Sequence, residues 1–242
     1  MDFGCGSGAL VAAARAKGLE VYGAETFYEG IRVEDSELAR SWGCDQNVIR
    51  EIKAGHIDFP DHYFDLVVHN QVFEHVENLD QAASEIQRIL KPGGRMIGIF
   101  PTRGVLREPH LGLPCVHWFS PGPIRTWWAK FTRGLGFGFD FWGEGDAWFK
   151  PAFAFLDERV FYRSRAQIAS ILNPLFDVKY IEPEWLGFRV PKYKWMLSLP
   201  GAYAAARAFS RVMAGPVVEA KSRKAVAVKS GDAVEALTAK VR

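Results

Sequence analysis

Apolar and polar residues near the start of the chain follow a helical period and then a strand period. Residues 9–17 are strong helix formers, and Gly18 after them is a predicted C-terminal cap. Residues 21–24 form a short apolar run typical of a buried strand. A loop, a helix and a strand are therefore expected within the first 25 residues.

The same alternation continues further along the chain. Residues 64–69 and 96–100 are short runs rich in β-branched or apolar residues, which predict two buried strands. Between them, apolar side chains recur at helical spacing over residues 79–90, with Asn78 as N-cap and Gln81 placed to complete a capping box. Residues 91–94 read Lys-Pro-Gly-Gly and predict a turn that ends this helix before the second strand. Strand, helix and strand in alternation predict an α/β fold with a parallel sheet covered on both faces.

An aromatic-rich segment interrupts this pattern. Residues 102–162 lack the alternation, and residues 118–162 alone hold 15 of the 33 aromatic residues. We interpret residues 102–162 as an insertion that either forms a satellite core against the sheet or caps an apolar substrate pocket. Both roles are compatible in one segment.

The C-terminal part returns to regular elements. Ser164 can cap a helix, and residues 176–181 and 224–229 read as strands. Residues 191–214 favour an amphipathic helix after a proline, and packing on the domain is the preferred interpretation over a place on a membrane surface. Residues 230–242 are expected to be a flexible tail.

Composition places the 242 residues in one soluble domain, because 48% of them are hydrophobic and can bury a substantial core. The net charge of +2 gives no electrostatic reason to expect nucleic acid, and no apolar run is long enough for stable membrane insertion. Cys5, Cys44 and Cys115 show no C-x-x-C spacing, which suits a reducing compartment. We therefore expect a cytoplasmic protein, and its oligomeric state is left open.

Candidate chemistry begins with a glycine loop before the first helix. Residues 2–8 read Asp-Phe-Gly-Cys-Gly-Ser-Gly, with Gly4, Gly6 and Gly8 at every second position. Glycine lets the backbone turn sharply and lets a ligand approach without a Cβ in the way. Because Gly4, Gly6 and Ala9 also satisfy a dinucleotide pattern, a nicotinamide or flavin cofactor is an alternative at this point.

Charge distinguishes a dinucleotide from a cofactor that carries positively charged groups. A dinucleotide places its anionic pyrophosphate over the loop, where the Asp2 carboxylate would repel it. S-adenosylmethionine carries an ammonium and a sulfonium, which a carboxylate favours. Glu25, 17 residues beyond Gly8, is placed to accept hydrogen bonds from ribose hydroxyls, which either ligand would require.

The chain resembles the class I S-adenosylmethionine-dependent methyltransferases in four motifs of residues 2–101: DFGCGSG, VYGAE, FDLVV preceded by FPDHY, and LKPGG before a strand. The resemblance implies a Rossmann-like seven-stranded sheet in the order 3-2-1-4-5-7-6. It implies that Asp2 and the backbone of Gly4, Gly6 and Gly8 hold the methionine moiety, and that Glu25 holds the ribose.

The resemblance also implies where the chemistry takes place. The strand that ends near Asn70 faces the cofactor in such a fold, which makes Asn70 a further cofactor residue. His75 is the candidate base, with helix packing as its alternative role. Glu74 and His75 resemble a pair that helps bind a metal in some quinone-type O-methyltransferases, although we expect no metal here.

Substrate contacts are expected just past the predicted strand at residues 96–100, the fifth strand in the family's order. Arg103, His110 and His117 lie there together with Glu108, and ordinary local hydrogen bonding is their alternative role. The Asn/Asp-Pro-Pro-Tyr tetrapeptide of enzymes that methylate amide or exocyclic amine groups is absent after the predicted strand at residues 64–69, the fourth in the family's order. A small molecule methylated at oxygen or carbon is therefore the expected substrate.

Two departures from the family pattern keep an alternative open. Residues 53–56 carry no acidic side chain where many relatives contact adenine, so adenine recognition is unassigned. Met1 stands almost where the first strand should end, so we expect that strand to be largely missing and the natural start to lie upstream. The alternative function is a methyltransferase-like module, or a truncated fragment, that binds without turnover.

Overall fold

A computed structural model describes residues 1–27 and 43–223 and shows one mostly parallel sheet. The strands are β1 (Asp2–Phe3), β2 (Gly23–Glu25), β3 (Ile49–Lys53), β4 (His56–Ile57), β5 (Phe64–Asn70), β6 (Leu90–Ile99), β7 (Phe176–Tyr180) and β8 (Val217–Ser222). Their order across the sheet is β4-β3-β2-β1-β5-β6-β8-β7. The short β1 pairs in parallel with β2 on one side and with β5 on the other.

The strand order confirms the predicted architecture with one addition. Strand β4 pairs antiparallel with β3 at the sheet edge. When β4 is left out, the remaining seven strands follow the expected order 3-2-1-4-5-7-6. Strand β8 runs antiparallel between β6 and β7.

The helices flank these strands. They are α1 (Ala9–Arg15), α2 (Leu79–Ile89), α3 (Pro123–Gly134), α4 (Phe149–Arg159), α5 (Arg165–Leu172), α6 (Glu182–Arg189) and α7 (Ala202–Met213). No helix in the described ranges is long and apolar enough to cross a membrane.

The predicted helix caps are present, with one difference. The Asn78 side chain accepts a hydrogen bond from the Gln81 backbone N–H at 3.1 Å, as predicted for the N-cap of α2. The Gln81 side chain instead donates to the carbonyl of Ala54, so the predicted capping box is not completed. Ser164 and Gln167 do form a reciprocal capping box at the start of α5.

One expectation about the strands needs correction, and another lies outside the described residues. Residues 91–94, expected as a turn before the strand, lie inside β6: Leu90 pairs with Phe64 while Arg95 pairs with Leu66. The extra residues therefore form a bulge, where Gly93 adopts a positive φ of 78°. The strand predicted at residues 224–229 and the tail at 230–242 lie outside the described residues.

The last described strand, β8, was not predicted from sequence. It begins at Val217, and four of its six residues are buried between β6 and β7. Its sequence, VVEAKS, is short and contains polar residues, so it does not predict a strand by itself. Pairing on both sides stabilises it, which local sequence does not reveal.

The core divides into separate clusters. The main cluster packs α2 and α5 against the sheet. A second large cluster lies within residues 102–162, called the cap below, around the fully buried Trp148. Leu111, Leu113 and Ala129 are also fully buried there, so the cap has an apolar core of its own.

Candidate active site

The glycine loop joins β1 to α1 with three glycines in the left-handed region. Gly4, Gly6 and Gly8 have φ values of 71°, 53° and 77°. A Cβ at Gly4 would lie 2.5 Å from both methyl carbons of Val72, so close packing requires glycine there. No heavy atom lies within 4 Å of the position of a Cβ at Gly6. The backbone beside Gly6 is therefore open to a ligand.

The second predicted cofactor residue lies directly beside this loop. Glu25 ends β2, and its two carboxylate oxygens accept hydrogen bonds from the backbone N–H groups of Gly6 at 2.6 Å and Thr26 at 2.7 Å. A carboxylate has about four acceptor sites, so both oxygens can still accept bonds from a ligand hydroxyl. The bond from Gly6 fixes the loop against β2.

Two acidic groups share this end of the sheet. Burial raises the pKa of Asp2 to about 6, and the Glu25 carboxylate adds to the shift. Burial also raises the pKa of Glu25, against the opposing effect of the Gly6 and Thr26 N–H groups. A bound cation would stabilise the ionised form of both side chains.

A cavity of about 770 Å³ extends from β1 and β2 toward the cap. Phe3 and Thr26 line one part of it, and His75, Phe155 and Phe161 line another. Phe3 and Thr26 are the chain neighbours of the glycine loop and of Glu25, although the predicted cofactor residues themselves do not line the cavity. Ala54 and Gly55 also line this cavity, in the segment where no acidic adenine contact was found.

His75 lies in a short helical turn after β5 and meets a histidine from the cap. Its Nδ1 is 2.7 Å from the carbonyl oxygen of Arg159. Its Nε2 is 3.2 Å from Nε2 of His110, and Phe155 packs against both rings. The structure thus brings together two predicted residues that are 35 positions apart.

Glu108 holds His110 from the opposite side. Its carboxylate lies 2.7 Å from Nδ1 of His110 and accepts hydrogen bonds from the Tyr162 hydroxyl and the Leu111 N–H. Burial alone would raise the pKa of Glu108, but these hydrogen bonds and the nearby His110 lower it. Glu108 is fully buried yet well satisfied.

Glu74 is different, because its carboxylate is buried without a hydrogen-bond partner. Burial raises its pKa to about 7. Ligand atoms from Glu74, His75 and His110 all lie within 4.8 Å of one another. These three residues have the chemistry and the spacing to hold a metal ion.

Arg103 and His117 lie apart from this cluster. They line a separate cavity of about 230 Å³, where His117 Nε2 is 3.2 Å from the Arg103 carbonyl oxygen. Tyr162 lines that cavity too and contacts both His117 and Glu108. Of the predicted substrate residues, only His110 therefore lies beside the candidate base.

One predicted residue is not placed in the site by the structure, and two residues of the site were not predicted from the sequence. Asn70 ends β5 with an exposed side chain and does not line the 770 Å³ cavity, so its contact with the cofactor stays a prediction. Tyr162 and Phe155 were not singled out, because each is one aromatic residue among many in the cap. Only their contacts with Glu108 and the two histidines distinguish them.

Comparisons with known proteins agree with the fold. A family model described as "Methyltransferase domain" matches residues 1–98. The chain is 30% identical over 132 residues to a demethylmenaquinone methyltransferase of Symbiobacterium thermophilum, covering 53% of this chain and 52% of that protein. A protein of the same name from Lactiplantibacillus plantarum is 31% identical over 101 residues, covering 40% and 42%. The chain thus spans about half the length of these curated relatives.

A solved structure extends the likeness beyond the N-terminal part. An S-adenosylmethionine-dependent methyltransferase from Mesorhizobium loti covers 91% of this chain and 88% of its own, with a TM-score of 0.51 and 16% sequence identity. At that identity the likeness supports the fold alone. Together with the strand order, it shows that the described residues have a Rossmann-like α/β fold, within which residues 1–98 match the methyltransferase domain model.

Proposed function

We propose that this chain transfers the methyl group of S-adenosylmethionine to oxygen or carbon of a small molecule. One observation carries the proposal: Glu25 accepts a hydrogen bond from the open glycine turn, and a cavity lined by the neighbouring Phe3 and Thr26 reaches His75. This cavity supports a cofactor at the glycine loop whose methyl group points toward the candidate activating residue.

The charge of the loop favours this cofactor. The positive ammonium group of S-adenosylmethionine would be attracted to the Asp2 carboxylate, and its ribose hydroxyls can donate hydrogen bonds to Glu25. A cation would return the raised pKa values of both acids toward their ordinary range. A pyrophosphate in the same place would raise them further, which argues against a dinucleotide.

An aromatic ring that bears a hydroxyl group fits the substrate end. Phe155 and Phe161 line the cavity beside His75 and offer apolar faces to a flat ring. The two curated relatives are named for a quinone-type substrate, which supports a ring of this class. When a ring hydroxyl loses its proton, both the oxygen and the neighbouring ring carbon become better nucleophiles. The same activation therefore serves O- and C-methylation.

His75 is the residue that we assign to this activation. The Arg159 carbonyl accepts a hydrogen bond from Nδ1–H of His75, which leaves a lone pair on Nε2. Methyl transfer needs alignment and exclusion of water in addition, and the cap supplies apolar walls for both.

Product formation tests the proposal directly. The full chain is incubated with S-adenosylmethionine and a panel of phenols and hydroquinones, and S-adenosylhomocysteine and methylated products are measured by mass spectrometry. We expect His75→Asn to lower kcat strongly with little change in cofactor affinity, and His62→Asn, at an exposed turn, to serve as the matched control. Cofactor binding without S-adenosylhomocysteine on any panel member would contradict turnover and favour the binding module.

A further inference from the structure

We propose that residues 182–213 carry a docking surface for bilayers that contain anionic lipids. These residues comprise α6, a short helical segment (Pro191–Ser198) and α7, which contact one another. The docking surface is the exposed apolar part of this unit: Phe188, Trp195, Met196, Leu199, Phe209 and Met213. The inference goes beyond methyl transfer, because it concerns where the protein binds and requires neither cofactor nor substrate.

The first argument is the orientation of α7, which turns its polar side toward the domain. Arg211 Nε donates to the carboxylate of Glu182 at 2.7 Å, and Arg207 Nε lies 3.6 Å from the same carboxylate. Glu182 is fully buried, and Ser210 of α7 is buried too. The helix therefore packs on the domain, as the sequence favours, but through charged and polar side chains.

The opposite side of α7 is apolar and faces outward. The exposed residues of this helix after Tyr203 are all apolar: Ala204, Ala205, Ala208, Phe209 and Met213. A helix on the surface of a globular protein normally has the reverse arrangement, with its apolar side against the core. A continuous exposed apolar side of this kind marks a site of contact with a protein or a membrane.

The apolar exposure continues across the rest of the unit. Phe188 is 85% exposed near the end of α6, and Trp195 is 64% exposed in the segment that follows. Met196 and Leu199 are exposed beside them in sequence. Aromatic side chains gain free energy when they leave water, and tryptophan is enriched at the interface between lipid and water.

Charge identifies the class of lipid. Residues 185–218 contain five basic and no acidic side chains, although the whole chain has a net charge of only +2. Arg189, Lys192 and Lys194 are exposed between Phe188 and Trp195. Basic residues beside exposed aromatic and aliphatic residues are typical of segments that lie on anionic membranes, because the headgroups attract the cations.

The same charges disfavour a second copy of this chain on the docking surface. A symmetric dimer brings the same patch of both copies together, so the basic side chains of one copy would lie near those of the other. Residues 185–218 offer no acidic side chain to pair with them. Like charges repel, whereas anionic headgroups would neutralise them. The observations therefore favour a lipid surface.

Vesicle binding by the full chain tests the inference. Co-sedimentation is measured with vesicles of phosphatidylcholine alone and of phosphatidylcholine mixed equally with phosphatidylglycerol. We expect the chain to bind the mixed vesicles about tenfold or more tightly than the neutral ones. Binding should weaken at about 1 M salt, which screens charges within about 3 Å.

Two results would overturn the proposal. One is a chain that stays in solution with the mixed vesicles. The other is a dimer, detected by light scattering, that Trp195→Ala dissociates, because a second copy would then cover the docking surface.

Variants locate the contact with the vesicles. Trp195→Ala should weaken binding to the mixed vesicles about tenfold or more, since it removes apolar area from the contact. Trp127→Ala removes an indole of nearly equal exposure from the cap and should bind as the parent does. Lys194→Gln should weaken binding about fivefold, and Lys150→Gln, at an exposed position of the cap, should not.

All four changes are at exposed positions, so the variants should fold, and circular dichroism checks this. Equal losses of vesicle binding in Trp195→Ala and Trp127→Ala would contradict the assignment of the docking surface to residues 182–213.

Because no S-adenosylmethionine is present with the vesicles, the result is independent of methyl transfer. A chain that binds vesicles but forms no methylated product refutes the proposed function alone. A chain that methylates its substrate but does not bind the mixed vesicles refutes the docking surface alone.

Discussion

The glycine loop and the cap build their sites in different ways. The loop uses consecutive residues from Asp2 to Gly8, and the only distant residue that it needs is Glu25 at the end of β2. The cap site uses side chains from residues 74–162, which meet only after the cap has folded onto the turn that follows β5. A local, backbone-based site is visible in sequence motifs, whereas a side-chain site assembled over long distances is not.

The two regions should also be stabilised independently of each other, since each packs against its own apolar cluster. The loop is fixed by hydrogen bonds to β2 and by packing against Val72. The cap depends on one fully buried indole, Trp148, whose N–H donates to the Phe139 carbonyl. The comparison can be tested by changes that affect one region and spare the other.

The largest expected effect is on the stability of the cap. Replacing Trp148 with alanine should lower the free energy of unfolding by about 3–5 kcal/mol, because it leaves a large cavity in the cap core. Chemical denaturation followed by tryptophan fluorescence measures this loss. The exposed Trp127→Ala, at 63% exposure, is the matched control and should change the free energy by less than about 0.5 kcal/mol. Equal effects of the two changes would refute a cap core around Trp148.

The next effect separates ligand approach from backbone strain. Gly6 and Gly18 both have positive φ, and at both positions a Cβ would have no heavy atom within 4 Å. Alanine at either should cost about 1–2 kcal/mol of stability through strain alone. Only Gly6→Ala should also weaken S-adenosylmethionine binding, by about tenfold or more, because its methyl group enters the ligand space. Calorimetry that finds equal affinity for the two variants would contradict the placement of the cofactor.

A smaller effect concerns pH. Cofactor affinity should fall as pH drops from about 7.5 to about 5, because Asp2, with a pKa raised to about 6, becomes neutral and loses its attraction for the ammonium. Stability of the ligand-free chain should respond in the opposite direction. A raised pKa in the folded state favours folding at low pH, and that contribution is lost as pH rises through about 6. Binding and unfolding measured across this range check both signs, and a pH-independent affinity would contradict the first.

The smallest effect tests a feature outside both sites. Ser164→Ala removes the side chain that caps α5 and should lower stability by about 1 kcal/mol. Cofactor affinity should not change, because neither Ser164 nor Gln167 lines the 770 Å³ cavity. Urea denaturation and calorimetry on the same sample measure both quantities. A weakened affinity would show that the two regions are coupled.

The fold was predictable because its signals are local. The glycine loop, the periodic helix α2 and the Ser164 cap each lie within a few residues, and each is present in the structure. Strand β8 was missed because its stability comes from pairing with β6 and β7. The bulge in β6 was missed for the same reason, since only the register with β5 reveals it.

The candidate site was predictable only in part. His75 and His110 were each singled out as polar residues near strand ends, but nothing in the spacing indicated that their rings would meet. Glu74 appears in sequence beside His75, and its partnerless burial is a property of the packed cap. Tyr162 gives no signal among the aromatic residues that surround it. Side-chain contacts across 35 or more positions depend on the path of the cap, which a single sequence does not encode locally.

We propose that the Asp2 carboxylate attracts the positively charged amino-acid end of the methyl donor. The most direct measurement is the dissociation constant of S-adenosylmethionine for the parent and for Asp2→Asn, which keeps the shape and removes the charge. We expect Asp2→Asn to bind S-adenosylmethionine about tenfold or more weakly than the parent, and a tenfold loss equals about 1.4 kcal/mol. NADH should bind neither protein appreciably. Equal affinity in the two proteins, or preferential binding of NADH to the parent, would contradict it.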